Sequence, residues 1–542
     1  MALRLALADG DASFDALRDH YGSTSYRGLW IGVDGDVASA EALLAALDGA
    51  GAHGLPPQRY RAAKLRAALD RASAGDAAAA ASAEVAFTRA FLAYARDVNS
   101  GLLEPKRVDR ELHVFPDRPD QARLLADLRA APSTERFLAS LAPSDPGYAR
   151  LQRELAAMIA SPSDLWGPET PAGGTLRLGD RGPRVAALRD RLVAKGDLAP
   201  TDPSEAAQPA VAAAPDADDA SDEAASPDLA DASDAELFDP AFFDLELEEA
   251  LRGFQRRHGL NDDGVAGPKT LAALNASVEE RTGQILVNLE RMRWLNRDLG
   301  RRHVYVNQAD FTVRLVEDGV ALFEERVVVG KARRHRTPEF SDQMTHLVLN
   351  PTWYVPRSIA TEEILPQLQE DPTYLWRKNM RLTSGGAPGP DPSTVDWSVY
   401  SESDFPFRVQ QRPGPDNALG RVKFMFPNQF SIYLHDTPSK RLFAKDMRAF
   451  SHGCVRVQDP MALARALLDP QEEDAGAYID RILARGKERR VNFDEPVPVH
   501  LTYRTAWIDE DGGRQYRADV YGRDARVLGA LKAEGVLADL GG

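Results

Sequence analysis

Ile432-Tyr433-Leu434-His435-Asp436-Thr437-Pro438, followed one loop later by Phe450-Ser451-His452-Gly453-Cys454-Val455-Arg456-Val457, decides how this sequence is read. The first run alternates apolar and polar residues, so it predicts a strand ending at His435. Cys454 falls on the next element, after a loop that closes back, which brings a Cys opposite an edge His. A thiol attacks at neutral pH only as thiolate, and an imidazole within hydrogen-bond reach can take that proton and later return it to a leaving amine. Gly453 lets the chain bend sharply, so amide hydrogens near Gly453 and Cys454 are expected to face an oxyanion. Arg456, two residues along a strand, projects to the same face as Cys454, where it could pair with a substrate carboxylate or help hold the thiolate.

Cys454 is the single cysteine of the chain, so no internal disulfide forms and a cysteine-only zinc site is excluded. Three other readings of these residues stand beside the nucleophile. His435, His452 and Cys454 together could ligate zinc, although no regular ligand spacing or carboxylate cluster completes the set. Cys454 could be a core residue with two incidental histidines. In a papain-like protease the Cys precedes the His and starts a helix, whereas here His435 comes first and both are strand-like.

Outward from this motif the period stays near two. Val304-Val306, Phe311-Val313-Leu315 and Ala321-Phe323, with a turn at Glu317-Asp318-Gly319, predict a β-meander leading into Val327-Val328-Val329. Further strands are expected at Leu347-Val348-Leu349, Val422-Phe424-Phe426, Phe430-Ile432-Leu434 and Val497-Val499-Leu501-Tyr503, with a hairpin turn at Pro427-Asn428-Gln429. Late helices are expected from Pro460 to Leu468 and from Ala475 to Arg485. Residues 285–505 therefore read as a mixed, β-rich catalytic domain. About 360–396 interrupts it with a helix (Ile364, Leu365, Leu368) and a Gly/Pro-rich run, either a lid or binding loop or a surface excursion. Residues 506–542 are a C-terminal extension expected to pack on the scaffold or catalytic domain.

Residues 1–165 are mostly helical in pattern: Leu43-Leu44-Leu47, Phe87-Phe91-Ala95 and Leu124-Leu125-Leu128 recur at helical spacing, and they announce no chemistry. A Pro- and Gly-containing linker follows. Residues 175–276 then offer three short amphipathic helices, with Gly179-Asp180 before the first, Phe254-Gln255 in the second, and Asp263-Gly264 through Thr270-Leu271 at the third. Between the first two lies an Ala/Asp/Pro/Ser-rich tract, 200–235, too poor in large apolar residues to offset its ordering entropy and so expected to be disordered.

The 542 residues exceed one hydrophobic core, and 43% apolar with 27% charged is an ordinary globular mix. Eleven Asp or Glu and no Lys or Arg lie between Thr201 and Leu237, which accounts for most of the net charge of −16. The remainder is only mildly acidic, so nucleic-acid binding has no electrostatic footprint. No run of eighteen apolar residues is present, so no membrane span is expected.

The motif around His435 and Cys454 resembles the L,D-transpeptidase (YkuD-type) signature. The wider run Tyr433 to Lys440, with Phe443, Arg448-Ala449-Phe450 and the Cys motif, is similar to the large YcbB-type branch. The three-helix region resembles a peptidoglycan-binding module, from which the acidic insertion departs. This resemblance implies a multi-domain α+β protein: helical scaffold, binding module, and β-rich catalytic domain with an inserted cap. It implies Cys454 as nucleophile, His435 as base and Gly453 as part of the catalytic turn. Tyr433 and Arg456 would line the substrate site, with His452 and Asp436 also among its substrate contacts, Asp436 standing where many relatives have Gly. Trp353 and Tyr354 read either as cleft-wall aromatics or as core. The implied reaction joins peptidoglycan stems 3→3 without metal or cofactor. The implied partners are stem peptides and glycan, with carbapenem-type β-lactams as covalent inhibitors. The same site with water or another amine as acceptor would be an L,D-carboxypeptidase or a lipoprotein-anchoring enzyme; a wall-binding scaffold without catalysis is the remaining reading. The implied location is the periplasm, with the targeting segment already removed from the sequence as it stands.

Overall fold

The computed structural model describes residues 1–8, 15–32, 36–160, 166–200, 238–384 and 387–536. The chain divides into two compact units, Met1–Ala157 with Gly283–Gly542, and Met158–Thr282. The acidic stretch 201–235, expected to be disordered, lies outside the described residues.

In the smaller unit the helices Pro183–Ala194, Leu245–Arg257 and Pro268–Leu274 bury Val185, Leu188, Leu192, Leu247, Leu251, Phe254 and Leu274 against one another. Pro183 and Pro268 both stand at the first turn, where a missing N–H costs nothing. The paired signatures Phe254-Gln255 and Asp263-Gly264 have a shared cause. The buried Gln255 amide donates to Asp263 Oδ1 at 2.9 Å and to the Val265 carbonyl at 3.0 Å, and accepts from the Gly264 N–H at 2.9 Å. Gly264 has φ +72°, and a Cβ there would stand 2.6 Å from Glu248 Cγ. The turn before the third helix is thus written in one side chain of the second.

In the larger unit the N-terminal part is helical, built around the long helix Ala77–Ser100, whose Phe87, Phe91 and Ala95 are fully buried. Glu84 on that helix accepts from the Tyr21 hydroxyl at 2.6 Å and from the Ile31 amide at 3.1 Å, fastening the preceding segment to it.

From Arg302 onward strands dominate. Nine of them form one sheet in the order 449–451, 320–330, 455–457, 434–435, 422–425, 340–349, 489–502, 302–307, 312–317. Strand 320–330 also pairs with 312–317, so the sheet closes on itself and leaves few unpaired edges. Alternation sets its two faces. Val327, Val329, Leu347, Leu349, Val422, Phe424, Leu434, Val455 and Val457 point to one side, where Leu463, Leu467, Leu468, Ile479 and Ile482 of helices Pro460–Leu468 and Ala475–Leu483 cover them. Truncating one such residue, Leu434 for example, costs about 2–5 kcal/mol. Lys423, His435 and Arg456 take the alternate positions and face the other way.

One expected strand is mostly loop. Only Leu434–His435 is extended, because the Asn428 side chain accepts from the Phe430 and Ile432 amides and donates to the Phe426 and Ile432 carbonyls. That clamp draws 428–432 into a turn and puts Ser431 at φ +55°. The interruption after residue 349 has its own core of Ile364, Leu365, Leu368, Leu375, Leu382, Trp397, Phe405 and Val409, and its small sheet runs on to Gln411.

Candidate active site

Strand Leu434–His435 lies between Val455–Val457, to which it is parallel, and Val422–Met425, to which it is antiparallel. His435 is therefore level with Arg456 on one side and Lys423 on the other. The Val455 amide donates to the Tyr433 carbonyl at 3.1 Å, which sets Cys454 beside Tyr433. Tyr433, His435, Cys454 and Arg456 accordingly share one patch of sheet, as their spacing predicts.

His435 is buried, and its Nδ1–H donates to the Asp436 carbonyl at 2.5 Å. This fixes the tautomer and leaves Nε2 as an acceptor. Burial first, then the Arg456 guanidinium and more distantly the Lys423 ammonium, press its pKa down to about 3. The Cys454 side chain is partly exposed, yet its surroundings desolvate the sulfur and push the thiol up to about 11. The Tyr433 amide, the Tyr433 hydroxyl and the Arg456 charge act in the opposite direction. Cys454 Sγ–H points to the Ser431 carbonyl, 3.6 Å away. Both shifts favour the uncharged forms, thiol and imidazole, on these adjacent strands.

The turn carrying the sulfur is built from several sides. Gly453 has φ +115°, and a Cβ on it would meet Ile432 Cδ1 at 3.0 Å. Ser451 Oγ donates to the Cys454 carbonyl and accepts from the Gly453 amide at 3.1 Å. This corrects one expectation: the Gly453 N–H does not face an oxyanion, because the Ser451 hydroxyl takes it. The Cys454 N–H, with no hydrogen-bond partner among the described residues, is the amide left for that task. Behind the turn, the fully buried Thr337 donates its hydroxyl to the Gly453 carbonyl at 2.7 Å and accepts from the Gly330 amide at 3.0 Å. Thr337 is held in turn by Arg523, which donates to its carbonyl at 2.8 Å, and by Tyr521, whose hydroxyl donates to the Gly330 carbonyl at 2.8 Å. Nothing local in the sequence marks Thr337, Tyr521 or Arg523; their roles come from pairings of distant segments.

The remaining candidates divide. Arg456 is largely buried, its Nε has no hydrogen-bond partner, and desolvation lowers its pKa while Cys454 and Glu363 raise it. It is a cation waiting for an anion. His452 Nε2 meets Glu363 Oε1 at 2.7 Å, so the inserted segment touches the residue two before the sulfur. Asp436, expected among the substrate contacts, turns its carboxylate inward: Oδ1 accepts from the Thr437 amide at 2.7 Å and Lys440 Nζ at 2.8 Å, and Oδ2 from the Arg421 amide at 2.9 Å. Its backbone carbonyl, not its side chain, reaches the site. Trp353 and Tyr354 form the first strand of the insertion's sheet, paired with Gln410 and Gln411, and no described hydrogen bond or ring contact joins them to Cys454 or His435. Among the described residues no cluster of His, Cys, Asp or Glu has a metal-binding arrangement. Lys423 and Glu363 were not singled out from sequence.

Comparison with known proteins decides what this sheet is. Residues 301–483 match the family model described as the L,D-transpeptidase catalytic domain. The sheet domain is therefore similar to the YkuD L,D-transpeptidase catalytic domain. This match is accompanied by matches of residues 15–155 to a scaffold domain and of 237–274 to a "putative peptidoglycan binding domain". A Haemophilus influenzae protein described as a "putative L,D-transpeptidase" is 35% identical over 249 residues, 45% of this chain and 49% of that one. The chain thus spans about half the length of that relative. Solved L,D-transpeptidases from Mycobacterium smegmatis (13% identity, 37% of this chain and 58% of that one, TM-score 0.18) and Xylanimonas cellulosilytica (16% identity, 62% and 100%, TM-score 0.17) are also similar, at scores on which no argument rests. No helix among the described residues is long and apolar enough to cross a membrane.

Proposed function

We propose that this protein is a periplasmic, cysteine-dependent L,D-transpeptidase that forms 3→3 peptidoglycan cross-links. The observation that carries the proposal is the patch that brings Cys454, His435 and Arg456 together on adjacent strands, with the His435 tautomer fixed by the Asp436 carbonyl and Arg456 Nε without a partner. In this reading His435 Nε2 takes the Cys454 proton as sulfur attacks the carbonyl carbon after the third residue of a donor tetrapeptide stem. The Cys454 N–H stabilises the oxyanion. The imidazolium then protonates the leaving amine of the terminal D-alanine, and a thioester remains. The side-chain amine of a second stem attacks that thioester, His435 takes the amine proton, and the thiolate leaves and is reprotonated. The thioester retains the energy of the broken peptide bond, so no nucleotide is consumed. The segment carrying Glu363 would shield the thioester from water, and the three-helix module would hold the enzyme on the polymer, raising local substrate concentration.

The experiment is intact-protein mass spectrometry after incubation with a tetrapeptide stem or a carbapenem. An adduct on the wild type, absent from Cys454→Ala and slowed by at least about a hundredfold in His435→Ala, supports the assignment. An adduct that persists without Cys454 contradicts it.

A further inference from the structure

Two cations flank His435 across the sheet, and only Arg456 was legible in the sequence. The other is Lys423, Cα-paired with His435 on the antiparallel neighbour, so both side chains rise from the same face. Lys423 is half-buried, and this desolvation lowers its pKa. Glu488 is the acid whose field reaches it, but no carboxylate comes within ion-pairing distance among the described residues, and its ammonium stands 6.0 Å from the Tyr433 ring centroid. A half-buried lysine without a counter-ion, beside a catalytic base, is costly to keep unless something pairs with it.

The order of the strands suggests what does. Cys454 precedes strand Val455–Val457, His435 is on the next strand, and Lys423 is on the one beyond. Nucleophile, base and lysine therefore stand on three successive strands, with Cys454 level with Tyr433 and so two residues along from the row of Arg456, His435 and Lys423. A donor peptide presents its groups in the same order. The carbonyl under attack lies over the sulfur, the leaving nitrogen lies over the imidazole that must protonate it, and the leaving residue's own carboxylate lies beyond that nitrogen.

We propose that Lys423 binds the terminal carboxylate of the leaving residue and thereby restricts donors to stems that end one residue after the scissile bond. This rests on the transpeptidase reading and adds its specificity determinant. A bound carboxylate would also offset the two cations that disfavour the imidazolium, so that a correct donor would strengthen the base it needs.

The test is equilibrium binding of a tetrapeptide stem, as free acid and as C-terminal amide, to full-length Cys454→Ala, which cannot turn it over. The acid should bind about tenfold more tightly than the amide, the worth of one charge-assisted contact. Adding Lys423→Met should remove this preference by weakening acid binding alone, and Lys423→Arg should restore it. An unchanged preference in the Lys423→Met background, an equal loss for acid and amide, or no saturable binding would each overturn the proposal. Lys423→Arg keeps the test decisive should Lys423→Met fold poorly, since the acid preference must then survive with a different cation. Wild-type turnover, followed separately, keeps the two readings apart. Turnover without a Lys423-dependent acid preference sinks the specificity claim only; a Lys423-dependent preference without Cys454-dependent turnover sinks the transpeptidase reading only.

Discussion

Thr337→Val tests whether the backbone behind the sulfur is set by segments far from the motif. Valine matches threonine in shape but lacks the hydroxyl, so packing is kept and two hydrogen bonds are lost, one to the Gly453 carbonyl at 2.7 Å and one from the Gly330 amide at 3.0 Å. Thr337 is fully buried, so water does not replace them. Each stranded backbone group costs about 1–3 kcal/mol, giving about 2–6 kcal/mol in total. Some of this would relax through rotation of the 451–454 turn, which displaces Cys454 relative to His435. Acylation should then fall by roughly a hundredfold, the scale associated with small misplacements of reacting groups. The assay pairs thermal melting with the rate of covalent adduct formation by stopped-flow or quenched mass spectrometry. Loss of stability with acylation unchanged would refute the positioning argument, because it would mean that Gly453 and Cys454 hold their geometry without Thr337.

Two further outcomes follow from the protonation states. With the Cys454 thiol near 11, about one molecule in ten thousand carries thiolate at pH 7. Iodoacetamide labelling should therefore rise about tenfold per pH unit from 7 to 10, and a plateau below pH 8 would reveal a thiolate–imidazolium pair instead. His435 titrates near 6.5 in the unfolded chain and about 3 when folded, so the unfolded state binds more protons as pH falls. Its stabilising contribution is whole above about 6.5 and is lost on descent through that window. Between pH 7.5 and 5 the wild type should lose about 2 kcal/mol more than His435→Gln, measured by denaturant unfolding. Equal losses in the two proteins would show that His435 is not held neutral.

Sequence carried the site as far as alternation reaches. Cys454 and Arg456 are two apart on an extended segment and His435 ends its own strand, so their common face follows from a period of two. Gln255 and Asp263-Gly264 were singled out separately, and the structure joins them across a short stretch of chain. What lay beyond reach depends on register between remote segments. Lys423 meets His435 only through the pairing of strands 422–425 and 434–435. Glu363 comes from the insertion, and Thr337, Tyr521 and Arg523 from a loop and a C-terminal segment almost two hundred residues apart. Where local reading erred, side-chain hydrogen bonds competed with the backbone pattern. Asn428 turned an expected strand into a loop, and Ser451 took the amide expected to serve an oxyanion.

The most direct test of the central claim is mass spectrometry of products from disaccharide-tetrapeptide incubated with the wild type and with Cys454→Ala. The account predicts a cross-linked dimer lacking one D-alanine, formed by the wild type and absent with Cys454→Ala. A Cys454-dependent tripeptide monomer in its place would make water the acceptor and contradict transpeptidation. No turnover by a well-folded wild type would contradict catalysis on these stems altogether.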